Sequence, residues 1–328
     1  MRRSPRSSQS TIPPGGAEIR EHVPVLPEEV VHFLVTDREG VYVDASVGDG
    51  GHAERILEKL SPRGRLFGFD CDPEAIRTSS KKLKRFGPRI RLKKSRFREL
   101  EGELDEMGAS DIDGFLYDLG LRTTALTNPE RGFSYMVDGP LDMRSDPELS
   151  LTAEQIVNSF SPQELTEILY SYGEDRHSGR IAKNLARRRA LSPLKSTFDL
   201  RDAVLEVIPK NYAVKTLSRV FQALRLYLNR DLEELRVALE VAIRFLKPGG
   251  RVAVITYQSR EDQVVKEVFR KFTGRCVCPP GLPECRCGRV RLVRVLTRKA
   301  LTPSAEEIES NPHARSARLR VAERLMFQ

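Results

Sequence analysis

Asp44, Asp70 and Asp118 each close a short apolar run, VYVD, RLFGFD and DGFLYD. A carboxylate at the end of a buried strand is costly to desolvate unless it meets a donor or a cation. The first run continues into ASVGDGGHAERIL, where Gly48, Gly50 and Gly51 let the backbone turn tightly. They also admit a ligand closer than a β-carbon would allow. Asp118 is likewise followed by a glycine, Gly120. Carboxylates beside glycine turns can accept hydrogen bonds from ribose hydroxyls, hold a cation, or take a proton from an amine.

Two cofactor classes use such a turn. Gly48, Gly50 and Ala53 satisfy the loose G-x-G-x-x-G/A dinucleotide pattern, with Asp70 about 20 residues beyond the turn. Charge favours the other class. A pyrophosphate wants amide donors and no neighbouring anion, yet Asp44 and Asp49 bracket this turn. S-adenosylmethionine carries an ammonium and a sulfonium, and its ribose hydroxyls suit Asp70. The residues therefore favour S-adenosylmethionine over NAD. The matching role for Asp118 is in methylation of an exocyclic base amine, whose lone pair is delocalised into the ring. A carboxylate accepting a hydrogen bond from that amine favours the pyramidal nitrogen that attacks, and alignment supplies the rest. Capping a helix, or touching cofactor alone, are the other roles open to Asp118.

These groups need a scaffold that gathers strand ends. Strand-like segments at 41–46, 65–70, 90–94 and 114–119 alternate with helical ones such as 53–60 and 73–86. This rhythm predicts an α/β fold with a doubly wound, mostly parallel sheet. Ligands in such sheets gather beyond the C-terminal strand ends. From 125 to 217 the rhythm gives way to the turn-rich NPERGFSYMVDGPLDMRSD and to helix-like segments around 152–159, 162–172, 180–189 and 200–207. An inserted helical domain is expected there. One long amphipathic helix at 221–245, a buried strand at 251–257 and a helix at 261–272 should follow. Alternating segments at 290–296 and 317–323 read as antiparallel edge strands. The expected division is a flexible basic tail (1–20), a core in two parts (21–124 and 218–328), and the insertion (125–217) for RNA recognition.

The 328 residues carry a net charge of +9, which suits a polyanionic partner. Between 77 and 98 stand eleven Lys or Arg and no acid, the pattern of a phosphate-backbone contact. Arg131 and Arg144 are candidates to grip phosphates, and Phe133 to stack on a base. No apolar run is long enough to span a bilayer, and the first residues lack the apolar stretch of a secretory signal. A cytoplasmic protein with no membrane partner is expected. Among five cysteines, Cys276-x-Cys278 and Cys285-x-Cys287 flank a Pro-Pro-Gly loop. They can present four thiolates to a structural zinc, while free thiols or labile disulfides stay open. No Ser-His-Asp or Cys-His arrangement suggests a hydrolase.

Together HVPVLPEEV, VDASVGDGGHAERIL, FGFDCDPEAI, DGFLYDLG, NPERGFS, DGPLDMR, YGEDRHSGRIA, FQALRLYLN and NPHARSARLRVAE resemble the signatures of the RsmH (MraW) family. That family methylates the N4 amine of a cytidine in small-subunit ribosomal RNA with S-adenosylmethionine. The resemblance spans about residues 22–323. It implies a Rossmann-like class I methyltransferase core with a helical insertion, and a target in the decoding region of the assembled small subunit. It places cofactor contacts on Gly50, Gly51, His52, Asp70, Phe97 and Asp118; the candidate catalytic residue, from its own strand end, is Asp118. The cysteine loop is similar to one in part of the family. The expected partner is small-subunit ribosomal RNA or the assembled subunit, with a homodimer left open. Two segments depart from the pattern. Where the family reads V-S-S-x-Q-L-D, this chain has Leu121-Arg122-Thr123-Thr124-Ala125-Leu126-Thr127, so Ala125 replaces a cofactor-contacting glutamine. Where it reads F-H-S-L-E-D-R, this chain has Tyr257-Gln258-Ser259-Arg260-Glu261-Asp262-Gln263, and Gln258 replaces a histidine. A catalytically weakened paralogue acting as an RNA-binding assembly factor is the alternative these changes raise.

Overall fold

The structure is a computed structural model and describes residues 23–275 and 290–326. Its first part runs α1 (Pro27–Leu34), β1 (Val41–Asp44), α2 (Gly51–Lys59), β2 (Arg65–Asp70), α3 (Pro73–Lys82), β3 (Ile90–Lys94), α4 (Leu100–Glu106) and β4 (Ile112–Asp118). Helices follow as α5 (Thr123–Thr127), α6 (Ala153–Ser159), α7 (Pro162–Ser171), α8 (Ser178–Leu191), α9 (Thr197–Leu205), α10 (Ala213–Asn229) and α11 (Asp231–Phe245). The chain then returns to the sheet with β5 (Leu246–Thr256), α12 (Ser259–Phe272), β6 (Val293–Val295), α13 (Ala305–Ser310) and β7 (Arg318–Arg324).

The strands lie in the order β3-β2-β1-β4-β5-β7-β6. The first five are parallel, while β7 runs antiparallel to both β5 and β6. The chain moves outward from β1 to β3, then returns to lay β4 on the other side of β1. Strand order reverses between β1 and β4, and a doubly wound sheet opens its ligand crevice at such a reversal. The mostly parallel sheet expected from the sequence is the one observed.

Strand β4 is buried along nearly its whole length, because helices cover both faces of the sheet. Leu104 of α4, Leu239 of α11 and Val265 of α12 pack on one side. Leu34 of α1 and Ile56 and Leu57 of α2 pack on the other. Tyr117, fully buried in β4, satisfies its hydroxyl by donating to the Ala238 carbonyl of α11 at 2.9 Å. Helices α6 to α10 share a second core that includes Ile156, Leu169, Leu185, Leu200 and Leu224. Their starts are encoded locally. Thr152, Ser161 and Ser196 cap α6, α7 and α9 in reciprocal boxes with Gln155, Glu164 and Asp199.

Two expectations change. The run 221–245 is not one helix: Arg230, at φ 55° and ψ 34°, ends α10 and starts α11 in a new direction. Both helices bury apolar residues up to the break, so periodicity alone showed none. Strand β7 is not an edge, since the short β6 covers it. Alternating burial looks the same whether the far side of a strand is open or paired. The tail 1–20, His22 and the cysteine loop 276–287 lie outside the described residues. No described helix is long and apolar enough to cross a membrane.

Candidate functional site

Strand β1 ends at Asp44, which is buried and not on the cavity wall, and the chain then turns through Gly48 and Gly50, both at positive φ. Gly50, at φ 82°, precedes the first turn of α2. A β-carbon at Gly51 would come within 3.2 Å of Pro24, so this turn is packed tightly from behind. At the end of β2, Asp70 accepts the Gly48 N–H through Oδ2 at 3.0 Å and the Asp72 N–H through Oδ1 at 2.9 Å. One carboxylate thereby ties the glycine turn to the start of α3. Burial raises its pKa to about 6, against the pull of those two hydrogen bonds. Asp44 is 1% exposed, and burial pushes it to about 7 while His52 opposes the shift. Its Oδ2 is buried without a hydrogen-bond partner.

Strand β4 sets Asp118 beside β1, where its N–H donates to Ser46 Oγ at 2.6 Å. Asp118 Oδ2 stands 3.5 Å from Nε2 of His52, a residue only 6% exposed. The Tyr257 ring, just past the end of β5, lies close against Gly120, two residues beyond Asp118.

A cavity of about 1010 Å³, with the open solvent at its mouth included, lies over these strand ends. Asp70, Phe97 and Asp118 line it together, as do Ala125 and Arg122. Phe97 meets Tyr117 edge to face with centroids 5.5 Å apart, which holds its ring. Gly50, Gly51 and His52 are not on the cavity wall, although His52 reaches Asp118 from behind it. Ala125 contributes a methyl group where the family pattern has an amide. The Gln258 side-chain oxygen is buried and without a hydrogen-bond partner.

Arg122, on the cavity wall, was not singled out from the sequence. Arg122 is 9% exposed and donates to Asp49 at 2.8 Å, Asp72 at 3.0 Å and Thr124 at 2.9 Å. Its one signal was standing where the family pattern has serine. Arg131, expected to grip phosphate, instead donates to Asp72 at 2.8 Å. Arg144 is held by Asp142 at 2.7 Å. Phe133 is 6% exposed and part of the helical core, so it offers no open face to a base. Arg131 pins its loop to the cap of α3, whereas Arg144 is spent on Asp142 and on the Pro147 and Leu149 carbonyls of its own loop.

A second ionic group forms the cavity wall on the helical side. Arg225 of α10 lies 3.4 Å from Asp231 and 3.3 Å from Glu261, while Arg96 pairs with Glu234. Burial raises Asp231 to about 6 and Glu261 to about 7, with Arg225 opposing both shifts.

The one-signed run 77–98 is largely neutralised by acids from elsewhere. Lys82 and Arg85 pair with Glu54, Lys93 with Glu103 and Glu106, Lys94 with Asp146 and Glu148, and Arg98 with Glu234. Arg77, Lys81, Lys84 and Arg91 stay exposed, with no ion pair among the described residues. No cluster of three or more His, Cys, Asp or Glu among the described residues is arranged to hold a metal ion.

The model of the MraW methylase family matches residues 19–325. A Caldicellulosiruptor saccharolyticus protein named ribosomal RNA small subunit methyltransferase H is 45% identical over 306 residues, 93% of this chain and 99% of its own. Proteins of the same name from Heliobacterium modesticaldum (44% over 308 residues, 93% and 98%) and Halothermothrix orenii (43% over 309 residues, 93% and 99%) are similar over the same extent.

Proposed function

The chain belongs to the MraW methylase family, and from that premise we propose that it methylates the exocyclic N4 amine of a cytidine in the decoding region of small-subunit ribosomal RNA. The observation that carries this reading is the meeting of Asp70, Phe97 and Asp118 in one cavity at the β1/β4 reversal. The names of the relatives support ribosomal RNA of the small subunit as the substrate class.

S-adenosylmethionine fits the residues present, and when bound it supplies a methyl group on a positively charged sulfur. The orphaned Asp44 Oδ2 and the raised Asp44 and Asp70 suit a ligand that is both a cation and a hydroxyl donor. Asp70 would take the ribose hydroxyls and Phe97 the adenine. Gly50, Gly51 and His52 would lie behind the methionine part. Asp118 would accept a hydrogen bond from the incoming amine and favour a pyramidal nitrogen whose lone pair is out of conjugation with the ring and free to take the methyl group, the sulfonium leaving as a neutral thioether. The amine proton leaves by way of that carboxylate or its solvent. The helical insertion 125–217 and the exposed cations Arg77, Lys81, Lys84 and Arg91 would hold the RNA, in the cytoplasm where small subunits assemble.

The test is methyl transfer to small subunits that lack the modification, followed by mass mapping of nucleosides. N4-methylcytidine at one decoding-region position is the expected product. Label in another base, or none with cofactor still bound, overturns the reading; the second outcome favours the assembly-factor alternative raised by Ala125 and Gln258.

A further inference from the structure

Arg225 of α10 lies on the cavity wall and is 7% exposed. A guanidinium has five N–H donors in a planar fork and stays charged inside a protein. Among the described residues only one of these donors makes a hydrogen bond, from Nη2 to Glu261 Oε1 at 3.3 Å. Nε is buried without a hydrogen-bond partner, although Asp231 stands 3.4 Å from it. A buried cation with donors to spare therefore borders the cavity.

Glu261 fixes where that cation stands. Its Oε2 accepts the N–H groups of Tyr257 at 3.0 Å and Gln258 at 3.2 Å, just past the end of β5. Ile255 of β5 pairs with Asp118 of β4. Glu261 thus holds Arg225 one strand over from Asp118, beside a residue two further along the chain. Asp70 and Phe97 belong to the opposite flank, at the end of β2 and after β3. With the strands in the order β3-β2-β1-β4-β5, a cofactor laid on Asp70 and Phe97 leaves the β5 flank to the methyl acceptor.

Charge decides what kind of group Arg225 meets. On this wall Arg96 and Arg225 already face Asp231, Glu234 and Glu261, so an anion finds no surplus cation there. A neutral, flat ligand rich in acceptors suits it better. We infer that Arg225 reads the Watson–Crick edge of the target cytosine, donating to N3 and O2 while the N4 amine meets Asp118. The inference rests on the function proposed above. N3 and O2 are neighbouring acceptors, a pattern that a guanidinium fork can match with two N–H groups. Uracil carries a proton on N3, so it would oppose Arg225 with a donor, and it has no amine to offer Asp118.

The test is single-turnover methyl transfer to reconstituted small subunits with cytidine or 3-deazacytidine at the methylated position. The deaza base has C–H in place of N3 and keeps its amine. Wild type should be slower on it by about 10- to 100-fold, the scale of a hydrogen bond to a charged group. Arg225→Lys keeps a cation between Glu261 and Asp231 but loses the fork. On cytidine it should lose a similar factor, with S-adenosylmethionine affinity within about twofold, and removing N3 should then cost it less than about threefold more. Any change in amine reactivity brought by the deaza ring cancels, because both enzymes meet it.

Losses that multiply independently overturn the inference, since Arg225 and N3 then do not meet. So does a matching fall in S-adenosylmethionine affinity, which would put the guanidinium on the cofactor. If Arg225→Lys does not fold, Arg225→Gln, which still offers Glu261 a donor, takes its place in the same comparison. Wild type that makes no N4-methylcytidine on unmodified subunits removes the underlying function. N4-methylcytidine made with independent losses removes only the role of Arg225.

Discussion

Arg122 Nη1 donates to Asp72 Oδ2 at 3.0 Å, joining the segment after β4 to the carboxylate that caps α3. Asp72 spends its other oxygen on the Glu74 N–H at 2.9 Å. Because Arg122 also reaches Asp49, one guanidinium spans the glycine turn and the next helix start. It neutralises two of the acids that crowd this corner, Asp49 and Asp72, and leaves Asp70 on the cavity wall.

Removing that guanidinium strands Asp49 and shares Asp72 with Arg131 alone. Breaking a buried pair on one side costs about 3–5 kcal/mol, and the remaining arginine should hold the loss near the lower figure. Arg122→Ala is expected to lower the urea midpoint accordingly and to weaken S-adenosylmethionine binding. Adding Arg131→Ala should cost more than the two single losses summed, since both act on one oxygen of Asp72. Simple additivity would show that Asp72 does not couple them.

Asp70 is expected to matter to cofactor before RNA. Asp70→Asn keeps an acceptor but gives up the charge, and hydrogen bonds to charged groups contribute about 1.5–3 kcal/mol. Calorimetry should show S-adenosylmethionine affinity falling about 10- to 100-fold, with affinity for small subunits nearly unchanged. Equal losses for both ligands would count against the ribose role.

Asp44, Asp70, Asp231 and Glu261 all have folded pKa values raised by burial, to about 7, 6, 6 and 7. The folded state then holds protons that the unfolded chain has released, so these groups favour folding below about pH 4. That contribution is lost as pH rises from about 4 to 7. Carboxylates with lowered values, such as Glu164 and Asp262, titrate below this window. Ligand-free protein should therefore be more stable at pH 5 than at pH 7.5 by several kcal/mol, each group raised to about 7 contributing about 2.5 kcal/mol over that span. Asp44→Asn should reduce the difference by about 2.5 kcal/mol, leaving the share of the other three groups. Urea denaturation at the two pH values decides it, and a higher midpoint at pH 7.5 would contradict the assignment.

The same proton must leave Asp44 or Asp70 when a cation binds beside them. Affinity for S-adenosylmethionine should rise between pH 5.5 and 7.5, by about tenfold. The neutral thioether S-adenosylhomocysteine lacks the sulfonium and should gain less. Matching pH dependences for the two ligands would mean that the sulfonium does not face these acids.

Much of the sheet was legible because its signals are local. Apolar runs that end in Asp44, Asp70 and Asp118, and the Gly48–Gly51 turn, sit within a few residues of what they specify. Phe97 came only through the family resemblance, since a lone aromatic after a basic run has no pattern of its own. Arg122 was invisible for a different reason: its partners Asp49 and Asp72 lie 73 and 50 residues away. Pairing at that range leaves no period in the chain. For the same cause the stretch 77–98 displays its own cations but not Glu54, Glu103, Asp146 and Glu234 folded onto them, so which of its cations stay unpaired was not legible. Arg230 gave no warning either, as an arginine in the left-handed region carries none of the marks of a glycine stop.

Arg230 also sets a constraint on chain length. On its two sides stand Arg225 and Asn229 of one helix, and Asp231, Glu234 and Leu235 of the next, all on the cavity wall. One residue gained or lost there would spin α11 by about 100°. It would carry Glu234 away from Arg96 and take the Ala238 carbonyl from Tyr117. Glycine or asparagine at 230 should be accepted, whereas any insertion or deletion between 229 and 231 would unseat the whole far side of the pocket.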